Sequence, residues 1–260
     1  MDIRNTLMIL EKVQAVKWPS GRARTGAQKT VNPGLFDALW GRDCLLCLDP
    51  SPAAALCEYC ERLLPVSLLR CPRCAVPMPE ARECADCLRD PPAFDDVTAA
   101  FDYRFPVDRL VRRFKFSADL AVGAYLGTAL ARAVDALPRP DLVLASPASA
   151  ARIRERGFNP ALVLARHAAR RLGLRSDARA LAKVRHTPPQ AGLGREDRHQ
   201  NLAGAFALSR TVAGLHVAVV DDVMTTGATL GALASVLKEA GARRVSGWVA
   251  ARTPEPPAEA

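Results

Sequence analysis

Eight cysteines fall between residues 44 and 87, and none occurs elsewhere in the 260-residue chain. They form four C-x-x-C pairs: Cys44/Cys47, Cys57/Cys60, Cys71/Cys74 and Cys84/Cys87. A period of 27 residues carries the first two pairs onto the last two. A C-x-x-C turn aims two thiolates at one ion, and two such turns close a tetrahedral four-sulfur zinc site. Four sulfur ligands leave no position for a substrate, so two structural zinc ions are expected. One C-x-x-C alone can serve as a redox pair; four at matched spacing point to metal. Consecutive pairs sharing an ion is the simplest arrangement, and cross-bracing meets the same spacing. A segment this short buries too little apolar surface to fold alone. Metal binding, on the order of 10 kcal/mol or more per site, must supply much of its folding free energy.

The second stretch with chemistry in it is Val219–Leu230, VVDDVMTTGATL. Thr225, Thr226, Gly227, Ala228 and Thr229 place three hydroxyls and a glycine where a helix is predicted to start. Backbone N–H groups and the helix dipole hold a phosphate there without a fixed positive charge. Asp221 and Asp222 stand just before. Two adjacent acids repel a phosphate unless they face hydrogen-bond donors, and ribose hydroxyls are such donors; a divalent ion lowers the repulsion further. Each piece alone is also found in an ordinary capped helix or a solvated turn. The order strand, acid pair, threonine turn, helix is far more specific.

The surrounding elements must position these groups. Val97–Tyr103, Leu142–Ala145, Leu215–Val220 and Val245–Ala250 read as strands. Pro106–Phe114, Asp119–Leu137 with Ser117 as cap, a helix begun by Asn159-Pro160 and ended by Gly173, and Leu230–Ala240 read as helices. Alternating strands and helices predict an α/β fold, a mainly parallel sheet with helices on both faces. The predicted organisation is an arm over 1–40, a zinc segment over 41–92, the α/β domain over 93–252 and a Pro-rich disordered tail over 253–260. Composition is that of an ordinary globular chain, with 49% hydrophobic and 24% charged residues. No apolar run reaches about 18 residues, so no membrane span is predicted. The first residues lack a signal-peptide pattern, so a cytoplasmic location is expected.

The whole stretch from about Leu35 to Arg252 resembles the ComF family, competence-associated proteins with a double zinc ribbon and a type I phosphoribosyltransferase domain. Four stretches carry the resemblance: Phe114-Lys115-Phe116, Arg154–Asn159 (RERGFN), the loop from Arg185 to Asn201, and Val219–Leu230. The resemblance implies binding of 5-phosphoribosyl diphosphate (PRPP) with Mg²⁺. Asp221 and Asp222 would take the ribose 2′ and 3′ hydroxyls, and the segment through Val223, Met224, Thr225, Thr226, Gly227, Ala228 and Thr229 would wrap the 5′-phosphate. Ser146, Pro147, Ala148, Ser149 and Arg152 correspond to the diphosphate loop. The family commonly has V-P-L-H-P-R-R there; this chain keeps the proline and lacks the histidine and one arginine. Lys183 and Arg185 would belong to a flexible loop closing over the sugar. The implied reaction is displacement of diphosphate at ribose C1 by an unidentified nitrogen nucleophile.

The formal charge is +9, and from Arg152 to Arg185 ten basic residues face only two acidic ones. Such a run forms a solvated helix face, steers a polyanionic sugar diphosphate, or binds the backbone of single-stranded DNA. Aromatic residues make up only 5% of the chain, which argues against base-specific readout. The family's link to DNA uptake adds single-stranded DNA and a helicase-like competence protein as expected partners. His167 is predicted to be a surface residue and His216 a packed one. His186 and His199 fall in the loop and receive no role.

Overall fold

The computed structural model describes residues 43–51, 54–184 and 205–254. The predicted arm, Arg185 with the loop to Asn201, and residues 255–260 lie outside them. In chain order the strands are β1 (Asp96–Asp102), β2 (Leu142–Ala145), β3 (Ser176–Asp177), β4 (Leu181–Lys183), β5 (Phe206–Leu208), β6 (His216–Met224) and β7 (Arg244–Arg252). The helices are α1 (Glu58–Arg62), α2 (Ala85–Arg89), α3 (Val107–Ser117), α4 (Leu120–Val134), α5 (Ala150–Arg156), α6 (Pro160–Leu172) and α7 (Ala228–Glu239).

Five strands form one sheet in the order β1–β7–β6–β2–β3, and every pairing in it is parallel. The central strands bury both faces, as continuous apolar runs do in such sheets. Val217 and Val219 enter the core shared with Leu230, Leu233 and Leu237 of α7. Ala218 and Val220 enter the opposite core, with Phe114 of α3, Leu126 and Leu130 of α4 and Leu164 of α6. Helices therefore cover both faces. In α3 the buried residues Val107, Leu110, Val111 and Phe114 recur at i, i+3, i+4 and i+7.

Several boundaries differ from the sequence reading. The cap of α4 is Asp119, whose carboxylate accepts the N–H groups of Ala121 and Val122 at 3.1 and 3.2 Å; Ser117 is the last residue of α3. β6 runs on to Met224, because Val249–Arg252 continues beside it. His167 is half-buried rather than a surface residue. Gly127 of α4 allows this close approach: a Cβ there would stand 2.6 Å from His167 Cβ. Burial accordingly lowers the His167 pKa. His216 is packed as predicted, with Nε2 2.8 Å from Ser246 Oγ.

The connector between the two cysteine halves passes the end of edge strand β1. Asp102 donates its N–H to Pro65 O at 2.8 Å. Its carboxylate takes Ser67 Oγ and the Arg70 guanidinium, each at 2.6 Å. This crossing puts the halves on opposite faces: Cys44, Cys47 and Cys60 join the α3/α4/α6 core, and Cys71, Cys74, Cys84 and Cys87 join the α7 core.

Candidate functional site

The sulfur atoms of Cys44, Cys47, Cys57 and Cys60 all lie within 4.8 Å of one another, and so do those of Cys71, Cys74, Cys84 and Cys87. Consecutive pairs thus share an ion, and the cross-braced alternative is excluded. The halves match bond for bond. Leu48 and Ala75, 27 residues apart, both have positive φ (63° and 58°) and donate to the carbonyls of Cys44 and Cys71. Cys57 and Cys84 sit at the starts of α1 and α2 and donate their N–H groups to Cys44 and Cys71 Sγ at 3.3 and 3.4 Å. Four enclosed thiols this close oppose one another's ionisation, a conflict set by burial and mutual charge. Hydrogen bonding from Cys60 pulls Cys44 down to about 4, while burial pushes Cys47 up to about 12 and Cys74 up to about 11. One Zn²⁺ per set binds all four as thiolates and removes the conflict. The donor sets fit two structural zinc ions.

The sheet order places the second site. After β2 the chain crosses through α6 to β3; after β6 it crosses through α7 to β7, on the other side. The carboxyl ends of β2 and β6 flank that reversal, where open α/β sheets bind ligands. The loop after β2 and the acid pair in β6 are tied together there. Ser146 N–H donates to Val220 O at 2.8 Å, and Asn159 Nδ2 donates to Ser146 O at 3.0 Å.

Asp221, Val223, Met224 to Leu230 and Val249 of β7 line one cavity of about 60 Å³ at the carboxyl end of β6, on its β7 side. Thr225 and Thr226 are exposed and Thr229 partly so. Val223 packs against the α3/α4/α6 core, and Met224 is buried beneath the turn. Asp222 is not part of the cavity wall; its Oδ1 is 2.9 Å from Lys115 Nζ, with both side chains mostly buried. Burial, then the Asp222 charge, push the Asp221 carboxyl up to about 7. Two neighbouring acids thus have different surroundings, one matched by a lysine and one facing the cavity.

Gly227 caps α7 with φ 82°, in the left-handed region. A Cβ there would meet Met224 Cε at 2.6 Å. Gly227→Ala is expected to lower stability by about 1–2 kcal/mol from backbone strain, read as a lower urea midpoint. An unchanged midpoint would mean that the turn tolerates a side chain there.

The predicted diphosphate loop is shorter than a free loop. Ser149 caps α5, its Oγ accepting the Arg152 N–H at 3.3 Å, so Ala150 and Ala151 are helical. Pro147 and Ala148 are partly exposed beside it, and the Arg152 side chain is exposed. Lys183 ends β4, which pairs antiparallel with β5. Burial, and then the Arg152 charge, lower its pKa, and its Nζ stands 5.8 Å over the Phe206 ring. Arg185 lies outside the described residues.

Two further stretches that carry the family resemblance interleave at the site. Phe114 packs on Phe158 at 5.3 Å between ring centres, and the Arg156 guanidinium stands 5.2 Å over the Phe116 ring. Lys115 falls between these contacts and reaches Asp222. Its role was not legible, although its place in Phe114-Lys115-Phe116 marked it. Arg252 was also missed: it is buried, and its guanidinium reaches the carbonyls of Cys74, Met224, Thr225 and Thr253. No periodicity points to such a tie. In the basic run, Arg152, Arg154, Arg166, Arg170, Arg171, Arg175 and Arg179 are exposed.

Parallel sheet, paired four-cysteine sets and acid–threonine crevice together define a phosphoribosyltransferase-type domain carrying a double zinc ribbon. Residues 35–88 match the double zinc ribbon domain, and residues 159–259 match the phosphoribosyl transferase domain. The DNA utilization protein YhgH of Salmonella typhi is 34% identical over 219 residues, 81% of this chain and 96% of that protein. Its Escherichia coli K12 counterpart is 32% identical over the same shares. Competence protein F of Haemophilus influenzae is 31% identical over 207 residues, 76% of this chain and 90% of that one. The chain belongs to this family, the ComF family. Among solved structures, the glutamine PRPP amidotransferase from B. subtilis matches at TM-score 0.39 and 22% identity, over 54% of this chain and 30% of that one. No helix among the described residues is long and apolar enough to cross a membrane.

Proposed function

We propose that this protein binds PRPP in the crevice between the ends of β2 and β6. The observation that carries the reading is the shared cavity wall: Asp221 and Thr225–Thr229 face one space at the carboxyl end of β6, the strand beside the reversal of strand order. Asp221 and Asp222 accept the ribose hydroxyls, with Lys115 holding Asp222 in place. The Thr225–Thr229 turn and the start of α7 take the 5′-phosphate. Ser146, Pro147, Ala148, Ser149 and Arg152 face the diphosphate, and Lys183 at the end of its strand adds positive charge. Mg²⁺, carried mostly by ligand oxygens and water, supplies neutralising charge to the diphosphate when bound. In a transfer reaction the C1–oxygen bond to diphosphate breaks as a nitrogen nucleophile bonds to C1. This chain's part is positioning and stabilising the departing charge. Calorimetric titration with PRPP and Mg²⁺ is expected to give saturable heat that vanishes in an Asp221→Ala/Asp222→Ala control. No heat, or equal heat in the control, ends the reading.

A second reading follows from the exposed arginines and the names of the relatives. The chain handles single-stranded DNA in the cytoplasm, alongside a helicase-like competence protein, with PRPP as regulator. Replacing Arg170, Arg171 and Arg175 by Glu is expected to weaken DNA binding at least tenfold and to flatten its salt dependence. Unaltered affinity and slope would remove this face as the contact.

A further inference from the structure

Arg252 is the last residue of β7 and pairs with Met224 across the sheet. Its side chain points to the second zinc half and to the threonine turn at once. Nε donates to Cys74 O at 2.9 Å; Nη1 donates to Met224 O at 3.3 Å, to Thr253 O at 2.7 Å and to Thr225 O. Among the described residues its hydrogen bonds go to carbonyls, and the carboxylate of Asp102, its partner on β1, is taken by Ser67 and Arg70. The residue is 7% exposed. A guanidinium held this deep needs compensating charge. A zinc ion bound by four thiolates carries a formal −2 on one side, and the turn would carry a phosphate on the other.

The peptide geometry gives the carbonyl contacts a consequence. In a trans peptide the C=O and the following N–H point in opposite directions. Holding the carbonyls of Met224 and Thr225 toward Arg252 therefore turns the N–H groups of Thr225 and Thr226 away from it. A cavity of about 410 Å³ opens between Cys74, Cys84 and Cys87 on one side and Thr225 to Ala228 on the other, with Arg252 in its wall. The ribbon and the turn do not close on each other across that space; the guanidinium spans it.

We infer that Arg252 is a positioning residue that orients the phosphate-binding turn against the second zinc half, so that zinc held by Cys71, Cys74, Cys84 and Cys87 and ligand held by the turn favour each other. The part concerning the ligand rests on the PRPP reading above; the strut itself does not. Lysine is the informative replacement, since it keeps the charge but cannot span several carbonyls as a planar fork does. In Arg252→Lys with both zincs bound, amides of Met224–Thr229 are expected to exchange hydrogen at least tenfold faster than in the wild type. Those of Leu142–Ala145 should be unchanged. Equal rates at Met224–Thr229 overturn the strut, whatever PRPP does.

Reciprocity supplies a second readout that a merely structural role would not move. Saturating PRPP with Mg²⁺ should tighten the binding of one zinc about fivefold in the wild type, read by equilibrium competition with a chromogenic chelator. Alkylation should assign that zinc to Cys71–Cys87, and the effect should be lost in Arg252→Lys. Unaltered affinity for both zincs, in a sample whose calorimetry shows bound PRPP, overturns the coupling. Absence of PRPP heat instead removes the PRPP reading and leaves hydrogen exchange to decide the strut.

Discussion

Stripping zinc from the full chain is expected to release two ions and unfold the segment from Asp43 to about Asp90. Each site is expected to contribute on the order of 10 kcal/mol, more than any single side chain in the molecule. The argument is one of size and charge. Each half offers one five-residue helix, a few bonded turns and four sulfurs. Without the ion, four enclosed thiols replace a zinc tetrathiolate, and α1 and α2 lose the cysteines that anchor them. The loss reaches the sheet because the halves lie in its two cores. Cys60→Ser should loosen the face where Tyr125 Oη donates to Glu61 at 2.9 Å and Arg113 donates to Leu45 O at 2.8 Å. Cys87→Ser should loosen the α7 face instead. Chelator absorbance gives the stoichiometry and thermal melting the loss. A chain that melts at the same temperature with and without metal, or that releases fewer than two ions, refutes the assignment.

Asp221→Asn is expected to make the protein more stable and a worse binder. The carboxyl is raised to about 7, first by burial and then by Asp222; unfolded, it would sit near 3.9. A raised folded pKa contributes stability that is complete below about pH 4 and is lost as pH rises through 7. At pH 8 the wild type therefore holds an unfavourable charge, on the order of 1–3 kcal/mol once solvent at the crevice mouth is allowed for. The amide avoids it. Its urea midpoint should exceed the wild type's at pH 8, with the gap closing toward pH 4–5. PRPP affinity should fall about 10–100-fold, because a hydroxyl donor loses a charged acceptor worth about 1.5–3 kcal/mol. Wild-type affinity should rise with pH as Asp221 ionises. An Asn variant that is less stable at pH 8, or that binds as tightly, contradicts this account of the site.

The sequence reading succeeds where the controlling interactions are local. That eight sulfurs form two four-sulfur sites follows from spacing, because a C-x-x-C turn aims two thiols at one point; which turns share an ion did not follow, and the fold decides it. Asn159 caps α6 and Gly173 ends it with φ 65°, both decided within one helical turn. It fails where a partner distant in sequence decides. The strands β4 and β5 are three residues each and exist through their mutual pairing. Lys115 matters because α3 delivers it to Asp222, 107 residues away in the chain. Arg252 looks like a basic residue before a Pro-rich tail until β7 places it between the zinc half and the turn.

From the order of its residues alone, this chain determined which sulfurs bind metal, that strands and helices alternate, and that an acid pair precedes a threonine turn at a helix start. These depend on bonds that close within a few residues or on periodicities along one element. Tertiary structure decided that the two zinc halves straddle the sheet, that Asp221 faces the cavity while Asp222 is matched by Lys115, and that Arg252 spans the gap. Each of these depends on burial and on charges brought together by the sheet, and a carboxylate's surroundings are set by whatever packs against it rather than by its neighbours in sequence.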